Sequence, residues 1–261
     1  MVDVLELALL GSFAGFTIFL GLPIVLLGIS DRVRGFLNAF AVGILMFLIV
    51  DVFSHAWDTT TSETVSAYQG TGSVAGALTY LGLMFAGITI GLLGLVYYER
   101  SYMGKGQDSV APAKISTMTA LGIGAHNLSE GLAIGQSFAA NLVGLGVVLV
   151  VGFAAHNTTE GFGITAPLVG METKPKVSFL VKVLFIGGVP TLIGTLLGSI
   201  SYSPEAYVFF LALAGGALVY VTMLMFNTGR RRYSSGLMMG GVFLGLCLGF
   251  LTDLVVSLGG A

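Results

Sequence analysis

The sequence predicts an all-α polytopic membrane protein of eight transmembrane helices, and three observations carry that prediction. Of its 261 residues, 55% are hydrophobic and only 9% charged, with a mean hydropathy of +0.95; a soluble domain carries about 25% charged residues. The apolar residues fall in runs of roughly 20, the length that crosses a bilayer as a helix. The 39 glycines would weaken helices in water, but between membrane helices small residues allow close packing. Residues 1–261 read as a single transmembrane domain. The start, Met1-Val2-Asp3-Val4-Leu5-Glu6, has no basic stretch ahead of its apolar run, so it reads as a span and not as a cleaved signal peptide. The single cysteine, Cys247, excludes an internal disulfide and any site built from several thiolates. The formal net charge is −2, and no nucleic-acid partner is expected.

The spans follow in order. The first covers about 5–29 and the second 36–56, with Arg32 and Arg34 between them. The third, 73–98, is followed by Arg100, Lys105 and Lys114. The fourth, 115–140, and the fifth, 142–169, meet at a turn near Asn141. The sixth, 177–200, follows Lys174 and Lys176 and holds Lys182 just inside. The seventh, 206–227, and the eighth, 235–258, flank Arg230, Arg231 and Arg232. All 11 basic residues thus fall on one side, which the positive-inside rule makes cytoplasmic, with both termini outside. The outer side carries Asp3, Glu6, Asp58, Glu63, Glu205 and Asp253, a face that would concentrate cations. Gly21-Leu22-Pro23 of the first span echoes Gly188-Val189-Pro190 of the sixth, which runs the opposite way; inverted repeats of this kind mark transporters.

One pattern occurs twice, in the fourth and fifth spans: His126-Asn127-Leu128-Ser129-Glu130-Gly131 and His156-Asn157-Thr158-Thr159-Glu160-Gly161. Imidazole and carboxylate stand at i and i+4, so each pair shares one helix face. Ionisable groups in hydrocarbon are costly and mark function. The turn near Asn141 lies midway between the two histidines, so both imidazoles sit about 22 Å from it, at matching depth. Glu130 leans toward one side of that plane and Glu160 toward the other, both back toward the histidines. Gly122, Gly124, Gly131, Gly161 and Gly163 make the bending needed to close one site cheap. Two imidazoles and two carboxylates suit Zn²⁺, with iron, manganese or cobalt as further fits, and the lack of thiolates argues against copper(I). Asn127 and Asn157 add amide oxygens for a second ion or for orienting the first ligands. Ser129, Thr158 and Thr159 are expected only to bond back to helix carbonyls. Asp51 and His55, one turn apart near the outer end of the second span, form a candidate metal-admission site; an interfacial histidine beside Trp57 is the plainer alternative.

At these residues the sequence resembles the Zrt/Irt-like (ZIP) family of divalent metal transporters, prokaryotic type. The resemblance covers nearly the whole chain: eight spans, and His-Asn-x-Pro-Glu-Gly-type motifs in the fourth and fifth. It implies a three-plus-two-plus-three bundle of inverted repeats. It implies His126, Asn127, Glu130, His156, Asn157 and Glu160 as metal ligands, and a homodimer in the membrane. The motif prolines are Ser129 and Thr159 here. Val189 stands where many prokaryotic members have a glutamate, which favours one bound ion over two, and an acidic residue common near the inner end of the seventh span is replaced around Met225. The loop from Glu99 to Lys114 has no histidine. The expected function is uptake of divalent transition metal, Zn²⁺ first and Fe²⁺, Mn²⁺, Co²⁺ or Cd²⁺ as alternatives, by alternating access and with no prosthetic group. Protons should compete with metal for the same ligands. The rival is an intramembrane zinc-dependent hydrolase using three ligands and one general base.

Overall fold

The computed structural model describes residues 3–26, 30–102, 111–139, 141–169, 171, 173–200 and 203–258. The chain is all helix: α1 (Val4–Phe16), a 3₁₀ turn (Thr17–Gly21), α2 (Leu22–Leu26), α3 (Asp31–Tyr68), α4 (Val74–Tyr102), α5 (Pro112–Ala139), α6 (Val143–Thr165) with a 3₁₀ end, α7 (Val177–Ile200), α8 (Pro204–Arg232) and α9 (Ser235–Leu258). Seven of these segments are long and apolar enough to cross a membrane, making this a multi-pass integral membrane protein. The eighth expected span is α5, a helix of 28 residues that is absent from those seven. Its polar groups are buried against other helices, and Ser116, Thr119, His126, Asn127, Ser129, Glu130 and Ser137 are all inside.

The element ends depart from expectation for local reasons. The first span is interrupted, because Pro23 cannot donate to the Phe19 carbonyl and that oxygen takes the Leu22 N–H in a tighter turn. The second span does not stop at 56. Thr60 and Thr64 donate their hydroxyls to the carbonyls of Ala56 and Thr60, both at 2.8 Å, so the helix continues through this polar stretch. It ends only beside Gly70, whose φ of +76° suits glycine. Glu99 and Arg100 lie in the last turns of α4, not in a loop, and Arg230, Arg231 and Arg232 lie in the last turn of α8. The loop residues Met103 to Val110, with Lys105 and Asp108, are outside the described set.

The helices pack as two groups. In one, α5 lies along α7, α1 crosses α7 and α6, and α6 grips the 3₁₀ turn of the first span. In the other, α3 packs on α9 and α8, and α4 packs on α8. Within each group glycines bring backbones together: a methyl on Gly131 would fall on the Thr191 carbonyl, on Gly161 on that of Ile18, on Gly245 on that of Phe40. These glycines serve close approach, and α5 runs unbroken through Gly122, Gly124 and Gly131. Between the groups α5 packs on α8, and there the nearest atoms to the glycines are mostly side-chain atoms. A Cβ on Gly122 would stand 3.3 Å from that of Ala217, and one on Gly163 would stand 3.7 Å from Leu45. Leu45, Leu48, Met118, Ile123, Leu218 and Val221 fill this seam, all buried.

Contacts in the two halves recur at a constant offset. Asn157 donates to the Ala14 carbonyl at 2.9 Å, and Asn127 to the Gly187 carbonyl at 3.0 Å. Gly161 abuts Ile18 and Gly21, Gly131 abuts Thr191 and Gly194, and Gly15 meets Gly188. The partners are 173 positions apart (187 − 14, 188 − 15, 191 − 18, 194 − 21). In the second group Gly241 abuts Phe36 and Ala39, and Gly87 abuts Phe209 and Ala212, again 173 apart (209 − 36, 212 − 39). The contacts do not follow the register of the sequence echo: Gly188 meets Gly15, and at the contact offset Gly21 falls on Gly194 and Pro23 does not fall on Pro190.

Candidate metal site

The two motif helices are held side by side by the glycine contacts just described, and this sets their polar faces against each other. His126 Nε2 lies 3.3 Å from Glu130 Oε1 on its own helix and 3.9 Å from Glu160 Oε1 on α6. All three are deeply buried, at 3%, 5% and 0% exposure. His156 is on α6, but its side chain lies outside the described residues. Among the described residues no group of three or more His, Cys, Asp or Glu is already arranged around one ion position. The carboxylates of Glu130 and Glu160 together carry −2 when ionised beside a neutral imidazole. A low-dielectric interior tolerates that only with compensation. One divalent cation, or two protons, balances it.

Asn127 and Asn157 are fully buried. Each amide nitrogen is committed to a backbone carbonyl across a helix interface. Each Oδ1 is left buried without a hydrogen-bond partner among the described residues. A fixed, unsatisfied amide oxygen is a ready ligand or an orienting acceptor. Thr158 bonds back to the Ala154 carbonyl at 3.0 Å, as expected. Ser129 does not: its hydroxyl is buried without a hydrogen-bond partner among the described residues and faces the cavity next to His126.

That cavity, about 170 Å³, joins the motif to the second span. Asp51 and His55 line it together with His126 and Glu130. His55 Nδ1 is 3.0 Å from the Asp51 carbonyl oxygen and 3.4 Å from its Oδ1. A carbonyl only accepts, so Nδ1 carries a proton, and in the neutral ring Nε2 holds the lone pair for a ligand. His55 is 57% exposed and Asp51 16%, so the pair grades from open to enclosed. Tyr207 and Asp253 complete the wall. Sequence reading placed Asp253 only among acidic residues at the outer side; an acid late in an apolar helix was the available signal. Leu149, Phe153 and Leu211 supply an apolar collar.

The sequence model of the family described as "ZIP Zinc transporter" matches residues 98–252, more than half of the chain and including both motif helices. Zinc transporter ZIP10 of Mus musculus is 30% identical over 157 residues, 56% of this chain and 18% of that protein. Zinc transporter ZIP10 of Danio rerio is 31% identical over 114 residues, 43% of this chain and 13% of that protein. The chain therefore spans less than a fifth of the curated relatives it matches. The intramembrane hydrolase alternative falls away, because this chain belongs to the ZIP family of zinc transporters.

Proposed function

We propose that this protein moves Zn²⁺ across the membrane from its acidic side to its basic side, which is the cytoplasm. One observation carries the reading: His126 and Glu130 line one cavity with Asp51 and His55, and buried Glu160 stands 3.9 Å from His126. The ion is captured by Asp51 and His55, sheds water and passes to His126, Glu130 and Glu160, with His156, Asn127 and Asn157 completing the ligand set. A single ion is bound, since Val189 offers no bridging carboxylate. Fe²⁺, Mn²⁺, Co²⁺ and Cd²⁺ are further cargoes that the same ligands admit.

Alternating access comes from the two helix groups. The recurrence at a 173-residue offset supports an inverted repeat, and a seam whose nearest contacts at Gly122 and Gly163 are with side chains supports sliding of α1, α2, α5, α6 and α7 against α3, α4, α8 and α9. Backbone-to-backbone glycine contacts keep each group rigid. Both termini are extracytoplasmic on this reading. The gathering of basic residues supports it: Arg232 pairs with Asp31 at 3.1 Å, and Lys174 donates to the Leu26 carbonyl at 3.2 Å, so three inter-helix connections meet at one end. Prokaryotic type and a homodimer are what the resemblance suggests, and the loop between α4 and α5 carries no histidine.

Proteoliposomes enclosing a zinc-sensitive dye test the proposal. Adding Zn²⁺ outside should give a saturable fluorescence rise that His126→Ala and Glu160→Ala each cut at least tenfold. Full flux in both folded variants would remove the assigned site.

A further inference from the structure

The cavity at the acidic end has a counterpart at the basic end, about 140 Å³ in volume, between α3, α5, the end of α6 and α8. The two are related by the same 173-residue offset (207 − 34, 211 − 38, 228 − 55). Tyr207, Leu211 and His55 line the first cavity; Arg34, Asn38 and Thr228 line the second. Where the outer mouth offers an imidazole, the inner one offers a hydroxyl. Where the outer mouth has a phenol, the inner one has a guanidinium. Arg232 adds a second cation to the same wall. A mouth so lined repels a divalent cation and attracts an anion.

Among the described residues, a single carboxylate meets the two cations. Arg34 Nη1 lies 3.2 Å from Asp31 Oδ1, and Arg232 Nη2 lies 3.1 Å from the same oxygen. Two guanidinium groups thus share one carboxylate. Arg34 Nε is buried with no hydrogen-bond partner among the described residues. A buried charged donor without an acceptor is costly, and the planar fork of arginine matches phosphate oxygens. The remaining wall, with Ile115, Val169 and Met225, is apolar. Polar rim and apolar floor suit a phosphate that sits at the membrane surface with hydrocarbon beneath it.

We propose that this basic-end cavity binds a phosphate-bearing anion through Arg34 and Arg232. The anion is the headgroup of an anionic phospholipid or free phosphate, and the binding does not depend on the transport reading. The full-length protein in zwitterionic detergent is titrated with phosphatidylglycerol, with phosphatidylcholine of the same chains, and with inorganic phosphate. Thermal stabilisation and native mass spectrometry follow binding. Phosphatidylglycerol retained without a response to phosphate supports the lipid source; stabilisation by both supports a phosphate site open to either. Arg34→Gln should weaken binding at least tenfold, and Arg32→Gln, on the exposed helix face beside it, should not. Asp31→Asn frees both guanidinium groups and should tighten binding severalfold, a gain that damage to folding cannot mimic. Equal binding of phosphatidylcholine and phosphatidylglycerol with no phosphate response, or no change in both Arg34→Gln and Asp31→Asn, overturns the proposal.

Discussion

His55 and Glu160 differ in burial, and on the proposed transport reading that difference assigns them to capture and to transport. His55 is more than half exposed and Glu160 is fully enclosed. His55→Ala should raise the half-saturating Zn²⁺ concentration severalfold and leave the maximal flux largely intact, because only encounter is weakened. Glu160→Gln should collapse the maximal flux, because it removes one of the two carboxylates that balance a dication. A dye-flux titration distinguishes them; a His55→Ala protein with normal half-saturation and little flux would contradict the capture role. At this scale much was legible. The i, i+4 pairing of His126 with Glu130, and the approach of Glu160, follow from helix periodicity and from the matched spacing about Asn141. Ser129 was not legible. Whether a serine bonds back to its own helix or faces a cavity depends on what the neighbouring helix leaves open, and no local pattern encodes that.

Glycine decides the packing of the elements. A side chain on Gly161 would drive into the Ile18 carbonyl, so Gly161→Val should destabilise by about 1–3 kcal/mol or prevent folding. Gly240 has open space around its Cβ direction, so Gly240→Ala should be neutral or stabilise by up to about 1 kcal/mol through helix propensity. Melting temperatures of the purified variants check both. Hydropathy located the spans because the bilayer imposes their length. It did not locate the end of α3, since threonine hydroxyls satisfied by their own helix let a polar stretch stay helical. It also set the internal echo in the wrong register. Gly-x-Pro was the visible signal, whereas the equivalence lies in which glycines meet which carbonyls.

For the molecule as a whole, the seam between the two helix groups is the testable feature. The Cβ direction of Gly122 points to within 3.3 Å of the Ala217 Cβ. Disulfides need a Cβ separation of about 3.8 Å, so Gly122→Cys with Ala217→Cys, in a Cys247→Ser background, should oxidise readily. Oxidation should then stop zinc flux and reductant should restore it. A cross-linked protein that still transports at full rate rules out sliding along this seam. Hydropathy and spacing could show the apolar spans and the two motifs, but not this partition, which resides in which helices pack on which.

The long α3 helix has a practical corollary. Its 38 residues reach about 57 Å, against roughly 30 Å of hydrocarbon, and a Cβ on Gly70 just past its end would meet nothing within 4 Å. An epitope spliced in after Gly70 would hold an antibody fragment on a stiff mast clear of the detergent belt. This 27.1 kDa chain would thereby gain the fiducial that electron cryomicroscopy needs for alignment.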